Sequence, residues 1–262
     1  MIGVIGGSGV YSLDGMRVDA GEQCATPYGP SSGPLLRGEL NGAPLLFLAR
    51  HGPQHHLPPH KVNYRANLWT LRECGATALV TIAAVGGIRG DCRPSALVLP
   101  DQILDYTWGR EHTFFAGGDQ AVVHVDFTEP YDAEMRATLA RAAADNNISV
   151  VTGGAYAAMQ GPRFESAAEI MRLERDGAAV VGMTGMPEAS LARELGLRLA
   201  AVNIVVNPAA GKGDGGVSMD EIHRRLADGA ARVNRLLACA LPALWTLAQS
   251  REPLPAPVPQ NG

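Results

Sequence analysis

Apolar residues fall in short blocks that glycine and proline punctuate, and the period of the blocks changes along the chain. Met1 to Ile5 is a brief apolar run that stops at Gly6-Gly7-Ser8-Gly9, and Leu45 to Ala49 is a second that delivers Arg50-His51. Ala78 to Val85 is apolar almost throughout and rich in β-branched residues, which predicts a strand covered on both faces and ending at Gly86-Gly87. Ala96 to Leu99, Ile103 to Tyr106, Ser149 to Tyr156 and Val180 to Gly182 predict further strands, and Leu199 to Val206 one more that ends on Asn207. Between these runs the spacing becomes helical. Asn63 to Glu73 turns Leu68 and Leu71 inward and stops at Gly75. Tyr131 to Asn146, Glu165 to Arg175 and Pro187 to Leu195 predict three more helices, Pro187 suiting a first turn. A long helix from Ser218 to Leu241 is expected to end at Pro242. Strands and helices alternate without an internal repeat or linker. The expectation is a single α/β domain over residues 1–248, a central mixed β-sheet flanked by helices. The proline-rich stretch 249–262 reads as a disordered tail.

Composition narrows the partners. A chain of 262 residues that is 46% hydrophobic suits one sizeable core. The net charge is −4, only Lys61 and Lys212 are lysines, and the arginines are scattered, so no basic stripe marks a nucleic-acid surface. No apolar run reaches membrane-spanning length, and the first residues lack the pattern of a secretory signal. Cys24, Cys74, Cys92 and Cys239 are far apart and form no CxxC pair, which predicts reduced structural thiols in a cytoplasmic protein.

Four predicted strands end in reactive or glycine-rich chemistry: Ser8, Arg50-His51, Gly86-Gly87 and Asn207. Ligands of open α/β sheets gather at the carboxyl ends of strands. The Gly6 to Gly9 loop offers backbone N–H groups and the Ser8 hydroxyl to an anion, but it matches neither the dinucleotide nor the ATPase phosphate fingerprint, and a plain tight turn explains it equally well. Arg50 is either a bidentate anion binder or a surface ion-pair residue. His51, His55, His56 and His60 invite a metal, yet Pro53, Pro58 and Pro59 forbid a helical ligand pair and no HExxH occurs, so no metal is expected. Glu165 at a helix start has an ordinary role against the dipole, Phe164 an ordinary role in a core, and Asn207-Pro208 an ordinary role in a turn.

Taken in order, Gly3-Val-Ile-Gly-Gly-Ser-Gly9, Ala49-Arg-His-Gly52, Lys61-Val-Asn-Tyr64, Gly161-Pro-Arg-Phe-Glu165 and Gly182-Met-Thr-Gly-Met-Pro-Glu188 resemble the trimeric purine nucleoside phosphorylase family. The nearer branch is that of the methylthioadenosine phosphorylases, and the resemblance runs from Ile2 to about Leu241. Within it, Val206-Asn-Pro-Ala-Ala-Gly-Lys212 is most similar to the enzymes acting on S-methyl-5′-thioinosine. The resemblance implies a homotrimer that uses inorganic phosphate as co-substrate, without cofactor or metal. It implies a phosphate site of Ser8, Arg50, His51, the Ala84 backbone and Thr184. Phe164 matches the ring packed on the base, Met183 a ribose contact, and Asn207 with Glu165 the purine edge; the resemblance implies Asn207, Glu165 and His51 as the catalytic group. Met219 matches the position facing the 5′ substituent, and His124 a histidine supplied by the neighbouring subunit.

The purine edge follows from hydrogen-bond complementarity. A 6-oxopurine offers O6 as acceptor and N1–H as donor, matching the Asn207 amide and an ionised Glu165. The adenosine-specific relatives carry aspartate at the Asn207 place and another two residues on, where this chain has Ala209. Val206 replaces a hydroxyl residue common in the 6-oxopurine enzymes. The alternatives are a general inosine/guanosine phosphorylase, with His223 reaching a 5′-hydroxyl, a methylthioadenosine phosphorylase of relaxed base specificity, and a nucleoside-binding protein without catalysis.

Overall fold

The computed structural model describes residues 1–117, 122–213 and 219–250. The first strands are β1 (Ile2–Gly6), β2 (Arg17–Glu22), β3 (Leu35–Leu40) and β4 (Ala43–Ala49); helix α1 (Tyr64–Glu73) and strand β5 (Ala78–Gly87) follow. Next come β6 (Leu97–Leu99), β7 (Gln102–Tyr106), α2 (Ala133–Asp145), β8 (Val150–Thr152), β9 (Ala155–Met159) and α3 (Ala167–Arg175). The described chain closes with β10 (Ala178–Gly182), α4 (Gly185–Glu194), β11 (Arg198–Pro208) and α5 (Met219–Ser250). None of the helices described is long and apolar enough to cross a membrane. The tail beyond Ser250, with its expected disorder, lies outside the described residues.

The most apolar run of the sequence becomes the axis of a branched, mixed sheet. β5 pairs in parallel with β11 along its whole length, while β1 accompanies it only from Ala78 to Thr81. β10 then pairs antiparallel with its last residues, Gly86 and Gly87. Residues 82–85 of β5 therefore have β11 on one side and no strand neighbour on the other. That split in the sheet is the seat of the cavity described below. Packed around it, α5 and α2 cover one face through Val233, Leu236, Leu237 and Leu139, and α1 with α4 covers the other through Leu68, Leu71, Leu191 and Ala192.

Three expectations are corrected, and two strands were not foreseen. Ser149 to Tyr156 is not one strand: Gly153 and Gly154 adopt positive φ of 80° and 109°, and the chain swings from β8, beside β6, to β9, beside β10 and β7. Pro242 does not end the last helix, which continues to Ser250. A proline cannot donate to the carbonyl one turn back, and the Asn41 amide in the β3–β4 turn donates to that carbonyl, Ala238 O, at 2.7 Å. Glu165 does not open α3: Ser166 is the N-cap, closing a capping box with Glu169, and Glu165 precedes it. β2 and β3 were absent from the sequence reading, because β2 is an edge strand exposed at every residue and β3 lacks clean alternation.

Candidate active site

A cavity of about 700 Å³ opens where the sheet splits. The carboxyl ends of β1, β4, β5 and β11 bring Ser8, Arg50, His51, Gly86 and Asn207 to its wall, as the strand-end reading expected. Ala84, Phe164, Glu165, Met183, Thr184 and Met219 lie in the same wall. His124 stands apart, exposed on an irregular segment and not part of this wall. Lys212 is not in the wall either; its Nζ pairs with Glu174 of α3 at 2.5 Å.

Arg50 is fully buried, so the surface ion-pair reading fails. Its Nε and Nη2 donate to the two carboxylate oxygens of Glu188 at 2.8 and 2.7 Å, and Nη1 donates to Ile82 O at 2.7 Å. Those bonds use three of the five N–H groups of a guanidinium. Glu188 sits on α4, is 2% exposed, and locks the guanidinium in place. The sequence reading quoted Glu188 within a motif but gave it no role. Nothing near Glu188 in the sequence points to a partner 138 positions away; only the fold brings it to Arg50.

His51 is 4% exposed. Its Nδ1 lies 2.8 Å from Leu57 O, and a carbonyl only accepts, so Nδ1 carries the proton. Burial, then the Arg50 charge, lowers the imidazole to about 4. The ring is neutral at pH 7 with Nε2 as an acceptor. The His55 ring lies 4.5 Å from it, and the Tyr11 hydroxyl is 3.0 Å from His55 Nδ1. Tyr11, His55 and His56 all line the cavity, a contribution the sequence reading missed for Tyr11 and treated as a metal question for the histidines.

On the opposite wall, Gly161 (φ 61°) turns the chain so that Phe164 lies half exposed over the cavity. An added Cβ at Gly161 would fall 2.5 Å from Met183 Sδ, so the turn also needs the space. Burial raises the Glu165 carboxyl above its ordinary range, and Glu165 Oε1 is buried without a hydrogen-bond partner. Asn207 follows a bulge at Val206, where the β5–β11 register shifts, and its Nδ2 donates to Pro208 O at 2.6 Å. A bulge re-aims the next side chain; here it leaves one amide N–H and the amide oxygen to the cavity. Thr184 is buried beside them, its N–H donating to the Tyr156 hydroxyl at 3.2 Å.

A buried arginine, a half-exposed ring and an unmatched carboxylate oxygen thus meet in one cavity. Residues 1–242 match the Phosphorylase superfamily. The chain belongs to that superfamily. A probable S-methyl-5′-thioinosine phosphorylase of Pseudomonas syringae pv. tomato is 48% identical over 240 residues, 92% of this chain and 98% of its own. A probable 6-oxopurine nucleoside phosphorylase of Thermococcus kodakarensis is 43% identical over 245 residues, 92% of this chain and 91% of its own. Among solved structures, the methylthioadenosine phosphorylase from Schistosoma mansoni in complex with adenine superposes with a TM-score of 0.90 at 31% identity, over 95% of this chain and 94% of that one. This phosphorylase is therefore an enzyme of the nucleoside phosphorylase type, with the α/β architecture that its sequence implied.

Proposed function

We propose that this phosphorylase cleaves a 6-oxopurine nucleoside, S-methyl-5′-thioinosine in preference to inosine, to hypoxanthine and 5-methylthioribose 1-phosphate. The observation that carries the base assignment is the buried, unpartnered Glu165 Oε1 in the same wall as the half-free Asn207 amide. An unpaired buried carboxylate is costly, and N1–H of a 6-oxopurine would satisfy it. The Asn207 N–H meets O6, and its oxygen accepts from N7 as that atom is protonated.

Inorganic phosphate is the second substrate. Ser8, the Ala84 backbone, Thr184 and the two remaining Arg50 N–H groups hold it under C1′. His51, neutral, offers Nε2 as an acceptor and so pairs with a protonated phosphate oxygen. A phosphate oxygen bonds to C1′ as the C1′–N9 bond breaks, and the bonding pair passes to the purine, where Asn207 stabilises the developing charge. Positioning and this electrostatic effect supply the rate; the scheme uses no metal and no cofactor. Phe164 packs on the base and Met183 on the ribose. Met219 is a soft, apolar partner for a methylthio group, and a neighbouring subunit of a homotrimer brings His124 to the same end.

His223, one turn after Met219, also lines the cavity and favours a second reading in which it binds a 5′-hydroxyl. Turnover of methylthioinosine, inosine and methylthioadenosine, each with and without phosphate, separates the readings. The proposal expects phosphate-dependent release of hypoxanthine with the highest kcat/KM on methylthioinosine. Equal kcat/KM for inosine overturns the methylthio preference, and faster adenine release overturns the base assignment.

A further inference from the structure

The fold assembles a second set of reactive side chains outside the cavity wall. Glu22 closes the edge strand β2, Cys24 lies two residues beyond, and Cys74 is the C-cap residue of α1. Cys24 Sγ and Cys74 Sγ are 3.6 Å apart, Cys74 Sγ is 3.9 Å from Glu22 Oε1, and the three ligand atoms all lie within 4.8 Å of one another. Both cysteines are free thiols. Among the described residues this is the one group of three or more His, Cys, Asp or Glu side chains with such spacing.

A tetrahedral ion with metal–sulfur bonds of about 2.3 Å sets its sulfur ligands roughly 3.8 Å apart, and sulfur to oxygen slightly closer. The sulfur–sulfur edge is close to that length, and the sulfur–oxygen edge is somewhat longer than the ideal. A disulfide, by contrast, needs the sulfurs at about 2.05 Å. Arg37 flanks the group: its Nη2 is 4.0 Å from Glu22 Oε1 and donates to Cys74 O at 3.3 Å, while Nη1 faces Met1 Sδ at 3.5 Å. Two thiolates and a carboxylate form a borderline-soft donor set, which selects a zinc-class ion over magnesium or calcium.

We propose that Glu22, Cys24 and Cys74 bind one zinc-class divalent cation, with solvent in the fourth position. Binding replaces the two thiol protons, which leave to solvent, and forms two metal–sulfur bonds and one metal–oxygen bond. The ion pins β2, exposed at every residue and paired only with β3, to the end of α1.

Cobalt(II) titration of the reduced, full-length chain tests this. One equivalent should produce a thiolate-to-cobalt charge-transfer band, bleached by one equivalent of zinc, and zinc should shield both cysteines from alkylation. Cys24→Ser and Cys74→Ser should each abolish the band and weaken zinc binding more than about tenfold, whereas Cys92→Ser and Cys239→Ser should leave both unchanged. Phosphorolysis by the four variants reports folding, since none of these residues lines the cavity. Absence of the band in active, reduced protein overturns the proposal, as does a band that survives both Cys24 and Cys74 substitutions. So does formation of a Cys24–Cys74 disulfide by exchange with a small disulfide at an undiminished rate in the presence of zinc. Metal held by the cavity histidines would give no thiolate band.

Discussion

At the scale of single residues, the base edge depends on which atoms of two side chains are left unpaired. Asn207 commits one N–H to Pro208 O, so the remaining N–H and the amide oxygen match O6 and N7 of a 6-oxopurine. Asn207→Asp turns a donor into an acceptor facing O6. It is expected to lower kcat/KM for methylthioinosine by about 10- to 100-fold, the range of one mispaired buried group of ~1–3 kcal/mol, and to raise the value for methylthioadenosine. An unchanged ratio of the two substrates would refute the edge argument. His51 makes a different prediction. Its folded value of about 4 lies below the ordinary 6.5, so between those pH values the unfolded chain holds a proton that the native one lacks. The stability tied to a neutral His51 is present above pH 6.5 and is lost as pH falls toward 4. Urea unfolding at pH 7 and pH 4.5 should show wild type losing about 2–3 kcal/mol more than His51→Gln; parallel losses would mean the ring is solvated.

At the scale of elements, the turn before α3 places Phe164 and Glu165, the two proposed base contacts, in the cavity wall. Ser166 accepts from the Glu169 N–H at 3.2 Å, Glu169 accepts in return from the Ser166 N–H at 2.7 Å, and Arg163 donates to both Glu169 oxygens. The Arg163 bonds, then the Ser166 N–H, hold the Glu169 carboxyl down to about 2. This closed network anchors the residue next to Glu165. Ser166→Ala should cost about 1 kcal/mol in unfolding free energy and raise KM for nucleoside while leaving KM for phosphate within about twofold. Equal rises in both constants would show that the cap supports the whole fold and not the base wall. The sequence showed this helix but placed Glu165 inside it, because a glutamate near a helix start fits the dipole as well at one position as at the next. The serine four residues before Ile170 was the sharper signal.

At the scale of the whole molecule, the Arg50–Glu188 pair joins β4 to α4 across 138 residues of sequence, and both side chains are nearly inaccessible. Removing one partner of a buried pair strands the other charge. Glu188→Ala should therefore cost about 3–5 kcal/mol, read from the urea midpoint. Replacing both residues with apolar ones of similar size should restore much of that stability but not phosphate-dependent turnover. A loss below about 1 kcal/mol for Glu188→Ala would mean that water reaches Arg50.

The sequence by itself determined most of the apolar strands, most helix positions and the family, and named most of the residues that line the cavity, because periodicity and local motifs are short-range properties of the chain. Gly75 after α1 was legible in the same way as the helix's stop. Tertiary structure alone decided where β5 lacks a neighbour, that Arg50 is locked by Glu188, that Asn41 takes over the carbonyl left by Pro242, and that Cys24 and Cys74 meet. Each of these joins residues 50 to 197 positions apart, except the missing β5 neighbour, which is a property of the sheet. Contacts of that kind depend on how burial and hydrogen-bond satisfaction are met over the whole sheet at once, and no window of sequence contains that condition.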